Sequence, residues 1–315
     1  MNSGRMNNGK GTILFGGSGF LGPYILERCP AMISVGRHPT VTPNRHIHVD
    51  TLADLSVLDD VEFDKVIFII GNTDHHALEK ERLDPREPSA YDYHVIPFLQ
   101  AMEQLKHRKL TKFIHFSSIL VYDEKRITLP VSEHAPINPY KNRYVLSKYL
   151  AEEACKFYAQ WVPIINCRFC NLYGPTPLER YDLIHLLARK LLQEGKAEIW
   201  NAAPARDFIY VSDAAEAIVR LLDCDYTGTL NLGTGTMTSI GRIVEIFRAL
   251  TGCEITNLNR PVQGPMKFVA DMTTMNRIIE WQPEVSIEEG VRLVYEKTRE
   301  GLQSGRSAYR RTGLE

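Results

Sequence analysis

The stretch ILFGGSGFLG, residues 13–22, decides how this chain is read. An apolar run, Ile13 to Phe15, ends in glycines at 16, 17, 19 and 22. A buried strand that breaks into glycine and resumes as a helix is a turn built for close approach. Gly16 permits the tight turn at the strand end, and Gly19 lets backbone come near a ligand with no Cβ between. Gly22 lets the helix pack against the strand. The helix start presents free N–H groups, which suit a pyrophosphate. Alone the pattern also fits a packing turn, so its neighbours must decide.

The neighbours alternate. TILFGG (12–17), MISVGR (32–37), HIHVD (46–50), KVIFII (65–70), KFIHFSS (112–118) and PIINCRF (163–169) are near-continuous apolar runs, as buried parallel strands are. Helical patterns lie between them at 19–28, 89–107 and 141–160. This alternation predicts an α/β fold with a doubly wound, Rossmann-like parallel sheet. Residues 38–45, HPTVTPNR, are too few for a helical crossover, so a loop is expected there. After residue 170 the texture changes. NLYGPTPLER is rich in loop residues, and helical patterns follow at 181–194, 213–222 and 239–251, with short strands at 198–200 and 229–233. The reading is a dinucleotide domain over 11–170 and a smaller substrate lobe mainly over 171–300. Some later segments return to the first domain, and 1–10 and 301–315 are loose tails.

The end of the second strand speaks to which dinucleotide. An acid there would bind a ribose 2′-hydroxyl, but the chain reads SVGRHP. Arg37 suits a 2′-phosphate, hence NADP before NAD, although a solvated arginine reads the same way. Asp50, closing the third strand, is placed to reach the adenine edge.

Composition narrows the partners. The 315 residues carry a formal net charge of −1, which gives no electrostatic support to nucleic-acid or anionic-membrane binding. No apolar run approaches the roughly 18 residues of a membrane span, and MNSGRMNNGK lacks a signal-peptide core. Six scattered cysteines, including the Cys167–Cys170 pair inside an apolar strand, read as buried thiols in a reducing cytoplasm. A redox pair is the other reading of that C-x-x-C. No histidine or acid spacing points to a metal.

The chemistry is carried by YVLSK. Tyr144 and Lys148 stand one helical turn apart, where an ammonium would favour the phenolate and lower a phenol from about 10. Upstream, HFSSILVY ends a strand with Ser117 and Ser118. Parallel strands end on one edge, so Ser118 shares that edge with the glycine turn.

Taken in order, GGSGFLG, FSSILVY, YVLSK, RFCNLYGP, RDFIYVSD and LNLGTG resemble the extended short-chain dehydrogenase/reductases of the nucleotide-sugar epimerase/dehydratase group, over residues 11–300. The resemblance implies a catalytic set of Ser118, Tyr144 and Lys148. It implies substrate-diphosphate contacts from Asn171 and Arg206, and an Asp213 that steadies the second lobe. Cofactor contacts are implied from Gly16, Gly19, Phe20, Leu21, Gly22, Arg37, Asp50, Thr51, Ile70, Gly71, Tyr144, Lys148 and Cys170. It also implies a homodimer through the helices at 89–107 and 141–160.

Departures from the group narrow the reaction. Sugar 4,6-dehydratases carry Asp-Glu after the catalytic hydroxyl, where this chain has Ile119 and Leu120. Decarboxylating members place Glu at the Leu120 position. The 3,5-epimerase/reductases use Cys there and His after YGP, where this chain has Leu120 and Thr176. Two readings survive: reduction of a nucleotide-linked 4-keto sugar by NADPH, and 4-epimerisation with tightly held NAD. Arg37 favours reduction. A silent NADP-binding sensor or scaffold on the same fold is the contrasting class. His94 stands where the group has an asparagine, and either joins a proton relay or fills helix packing. His75 and His76 are candidates to border the sugar pocket.

Overall fold

A computed structural model describes residues 11–72, 87–262 and 264–304. His75 and His76 lie outside the described residues. Strand β1 (Gly11–Phe15) runs into the glycine turn, and helix α1 (Gly22–Arg28) follows. Then come β2 (Ile33–Gly36), β3 (His46–His48) and β4 (Phe63–Phe68). The helix expected over 89–107 is two helices, α2 (Ala90–His94) and α3 (Ile96–Leu105). The break falls at Val95, because Pro97 sits in the first turn of α3 and offers no N–H to the preceding turn.

β5 (Lys112–Ser118) leads through a short 3-10 turn, Ile119–Val121, towards α4 (Arg143–Tyr158). Asn142 caps α4 by accepting the Val145 N–H at 2.8 Å. β6 (Ile164–Phe169) follows. Beyond it lie β7 (Asn171–Tyr173), α5 (Leu183–Glu194), β8 (Lys196–Ile199), β9 (Ala205–Tyr210) and α6 (Val211–Leu221). Next are β10 (Gly228–Leu232), β11 (Met237–Ser239), α7 (Ile240–Thr251) and β12 (Glu254–Asn257). Helices α8 (Thr273–Ile278) and α9 (Ile287–Gln303) end the described chain. α9 therefore includes the first three residues of the stretch read as a tail.

The main sheet has seven parallel strands in the order β10-β6-β5-β4-β1-β2-β3. Its apolar runs are continuous because both faces are covered. Leu14, Ile67, Ile114 and Ile165 join the core shared with α1 and α6. Ile13, Phe15, Val66, Phe68 and Phe113 point the other way, to Phe98 and Met102 of α3 and Tyr158 of α4. β2 and β3 are parallel with only a loop between them, as the eight intervening residues 38–45 required. β10 returns to the sheet beside β6, pairing Leu230 with Cys167. Two small sheets, β11-β9-β7 and β12-β8, complete the strands.

This topology places the site. Strand order reverses at β1, between β4 and β2, and ligands of open α/β sheets bind outside the carboxyl ends of strands at such a reversal. Gly16, Ile70 with Gly71, and Ser118 follow or close β1, β4 and β5, so all lie along that edge.

Candidate active site

The glycine turn is shaped by what cannot fit in it. Gly16 has φ +92°, a conformation side chains rarely adopt, and its N–H donates to Val35 O at 3.4 Å. Gly19 N–H closes the turn onto Gly16 O at 3.1 Å. A Cβ on Gly22 would strike the backbone of Gly17, so Gly22 serves helix-to-turn contact rather than the helix-to-strand contact its position suggested. Gly17, given no role from sequence, is held by Ser34, whose Oγ would lie 2.5 Å from a Cβ there. Leu21, buried, occupies the N-cap of α1 and gives it no side-chain cap. The cradle fits a dinucleotide pyrophosphate.

Around the edge, Arg37 stands exposed one residue past β2. Among the described residues its guanidinium makes no hydrogen bond or ion pair. His48 links its neighbours: Nδ1 meets Arg37 O at 3.1 Å and Nε2 meets Asp50 Oδ1 at 3.0 Å. Asp50, expected at the adenine edge, is thus held by His48. Thr51 is exposed, and its Oγ1 accepts the Ala53 N–H at 3.2 Å. Ile70 is half-buried, its N 3.1 Å from where a Gly16 Cβ would sit. A Cβ on Gly71 would lie 3.0 Å from His94 Cδ2 and 3.6 Å from Lys148 Nζ, so only glycine leaves that approach open.

Ser118, Tyr144 and Lys148 come together, all buried. Ser118 caps the 3-10 turn by accepting the Leu120 N–H at 3.2 Å and shares a hydrogen bond with the Tyr144 phenol. Burial pushes the Tyr144 phenol above its usual value, opposed by the Ser118 bond and by the charge of Arg180. This corrects the expectation that Lys148 lowers it. Lys148 reaches past the ring, 6.0 Å from its centroid, and donates to Phe116 O at 3.1 Å. Its own ammonium is pushed down to about 8 by burial, against the attraction of Glu152. Glu152 is in turn locked to Arg168 through contacts of 3.0 and 2.7 Å. Burial raises that carboxyl, but the Arg168 bonds and charge outweigh it and hold it below the usual range.

Arg180 escaped the sequence reading. Its guanidinium lies 4.0 Å from the Phe20 ring centroid, and its Nε donates to Asp182 Oδ2 at 2.8 Å. No spacing rule joins residues 20 and 180; the R-x-D after YGP was the one available sign. Phe20, expected at the cofactor, is half-buried and packs on this arginine and on His185.

The expected diphosphate ligands are engaged within the protein. Asn171 Nδ2 donates to Asp207 O at 2.9 Å. Arg206 Nη1 donates to Met266 O at 3.0 Å and Ala205 O at 3.3 Å, and burial lowers its basicity. They stand on neighbouring strands, β7 and β9. Asp207, the residue after Arg206 and not singled out from sequence, collects N–H groups of Thr234, Gly235 and Ala270 and so folds the turn after β10. Asp213 accepts the Val285 N–H at 3.0 Å, tying α6 to the approach of α9. Cys170 is buried, donates its N–H to Leu232 O at 2.9 Å, and fits against Gly233. Cys167 and Cys170 are unbridged and buried, and burial pushes both thiols up, away from the reactive thiolate form. Among the described residues no group of three His, Cys, Asp or Glu gathers as metal ligands, and no helix is long and apolar enough to cross a membrane.

The residues that follow Ser118, Ile119 and Leu120, line a separate narrow recess with Tyr122, Phe268 and the Lys141–Glu124 ion pair at 2.7 Å; Ser118, Tyr144 and Lys148 do not line it. The buried cluster thus has a hydroxyl pair and a lysine of depressed basicity. That arrangement suits moving one proton to or from an oxygen during hydride transfer.

The sequence profile of the NAD dependent epimerase/dehydratase family matches residues 12–233. The chain belongs to that family. It is an NAD(P)-dependent enzyme of nucleotide-sugar chemistry. A relative is the putative UDP-glucose 4-epimerase of Methanocaldococcus jannaschii, 26% identical over 300 residues, covering 90% of this chain and 96% of that one. The fold matches UDP-glucose 4-epimerase of Thermotoga maritima with UDP-glucose (TM-score 0.80, 22% identity, 93% of this chain and 99% of that one). It also matches RMD of Pseudomonas aeruginosa complexed with NADPH (TM-score 0.76, 22% identity, 92% and 99%). Within the epimerase/dehydratase family, Ser118, Tyr144 and Lys148 meet at the sheet edge that the topology assigns to ligands.

Proposed function

We propose that this family member reduces a nucleotide-linked 4-keto sugar with NADPH. The observation that carries the reading is Arg37, an exposed guanidinium at the end of β2 where an NAD-selective site would put an acid. A cofactor recycled within one turnover has no need of a 2′-phosphate contact. NADPH when bound supplies the hydride. Tyr144 then donates its proton to the sugar oxygen as charge develops there, and Ser118 donates a hydrogen bond to the same atom. Lys148 holds the nicotinamide ribose. Phe20, Leu21, Thr51, Ile70 and Cys170 line the cofactor. Asn171 and Arg206 take the diphosphate after giving up their carbonyl partners. Ile119 and Leu120 supply no acid or base, which disfavours dehydration. The main sheet forms the cofactor lobe, and the two small sheets belong to the substrate lobe.

The second reading is a 4-epimerase holding NAD. The full-length similarity to the Methanocaldococcus protein favours it. Mass spectrometry of nucleotides released from the purified protein tests the choice. Release of NADP(H) fits the reductase, and stoichiometric NAD overturns it in favour of the epimerase.

A homodimer through α3 and α4 fits the exposed Ile96, Leu99, Leu150 and Phe157 on those helices. Unbridged thiols fit a cytoplasmic setting.

A further inference from the structure

His94 is buried to 2% exposure where the sequence offered a relay or simple packing. Its two ring nitrogens bridge two separate segments. Nε2 lies 3.2 Å from the Asn72 N, whose N–H points at it, and 2.9 Å from Asn72 O, on the turn that follows β4. Nδ1 lies 2.8 Å from Ser147 Oγ on α4. Ser147 Oγ in turn donates to Tyr144 O at 2.7 Å. The imidazole edge also abuts the Tyr144 ring at 5.3 Å between centroids, close to perpendicular.

Two neutral forms each use part of this set. With the Ser147 proton on Tyr144 O, Nδ1–H donates to Ser147 and Nε2 accepts from the Asn72 N–H; with the ring proton on Nε2, that nitrogen donates to Asn72 O and Nδ1 accepts from Ser147. Either form ties α4 to Asn72. The charged groups facing the ring are Lys148 on α4 and His115 on β5. Burial, then the Lys148 charge, keeps His94 neutral well below the usual histidine range.

We propose that His94 is a positioning residue whose two ring nitrogens fix the helix carrying Tyr144 and Lys148 to the Gly71–Asn72 segment. The catalytic part of this inference rests on the reductase reading above; the bridge itself does not. The turn lies on the cofactor edge of the sheet, and a Gly71 side chain would touch both His94 and Lys148. One imidazole thus sets the spacing between the cofactor edge and the proton donor, and small errors in that spacing cost rate steeply. His94 moves no proton in this account.

Two measurements on the full chain test it. Nitrogen-15 NMR of histidine-labelled protein reads the tautomer without any substrate. The expected signature is a neutral ring held in one tautomer at pH 7, whose nitrogen shifts move in Ser147→Ala. An imidazolium, a rapidly exchanging mixture of tautomers, or a ring that Ser147→Ala leaves unchanged overturns the proposal. Steady-state kinetics of His94→Phe, which keeps a ring against Tyr144, should show kcat lowered about 10–100-fold with the sugar-nucleotide KM within threefold. His94→Asn retains a donor at the Nδ1 position and His94→Gln a polar atom at the Nε2 position, and each should recover part of the loss. A Phe variant with kcat within twofold of wild type overturns the proposal, as does a loss that neither amide repairs. If wild type reduces no keto sugar, the reductase reading fails, while the NMR signature still reports the bridge.

Discussion

Lys148 stands 6.0 Å from the centre of the Tyr144 ring and donates its ammonium to the carbonyl oxygen of Phe116, 3.1 Å away. The contact crosses from α4 to β5 and leaves a cation in a buried site, with Glu152 four residues on. In the proposed mechanism the Tyr144 proton is therefore tuned, against burial, by the Ser118 hydrogen bond and the charge of Arg180.

Burial gives Lys148 a pH signature. Its folded value is about 8 against a model-peptide 10.5, so the unfolded chain binds the proton more tightly. Between those values the unfolded state carries more protons, and stability rises with pH. The gain is at most about 3 kcal/mol. Urea melts of wild type and Lys148→Met at pH 7.5 and 9.5 should show the rise in wild type and a smaller rise in the variant. Equal rises contradict the assignment.

The Arg168–Glu152 pair is almost fully buried. Arg168→Met leaves a carboxylate stranded and should cost about 3–5 kcal/mol in urea unfolding. Glu152→Gln should cost less than Arg168→Met. It should also lower Lys148 further, by removing the charge that supports it.

Gly22→Ala places a methyl against the Gly17 backbone. The turn must shift, at a cost of about 1–3 kcal/mol, with cofactor affinity falling more than stability alone explains. Calorimetric titration of NADPH alongside thermal melts separates the two effects.

Arg37→Ala should weaken NADPH roughly tenfold to a hundredfold and leave NADH nearly unchanged, the worth of one charge-assisted contact. Fluorescence titration of both cofactors checks this. A wild-type preference for NADH contradicts the reading of Arg37.

The central sheet was legible because its strands carry apolar residues on both faces. Ile13, Leu14 and Phe15 form a run whichever face is considered, and the glycines after them mark the turn. β8 and β12 were harder. Lys196, Ala197, Glu198 and Ile199 alternate exposed and buried, and β12 was not recognised as their partner. α9 was passed over although Val291, Val294 and Thr298 bury one helical stripe. At the site, Tyr144 and Lys148 were readable from their four-residue spacing. The Phe116 carbonyl that receives Lys148 was not, because a backbone partner leaves no mark in side-chain pattern. Arg180 on Phe20 joins segments 160 residues apart, and only the folded chain brings them together.

The most direct test is single-turnover oxidation of enzyme-bound NADPH, followed by absorbance, with a panel of nucleotide-linked 4-keto sugars. The account predicts net oxidation by wild type with at least one of them, slowed about 10²–10⁴-fold in Tyr144→Phe while NADPH still binds. Interconversion of a nucleotide sugar with no net oxidation, or oxidation by Tyr144→Phe as fast as by wild type, would contradict it.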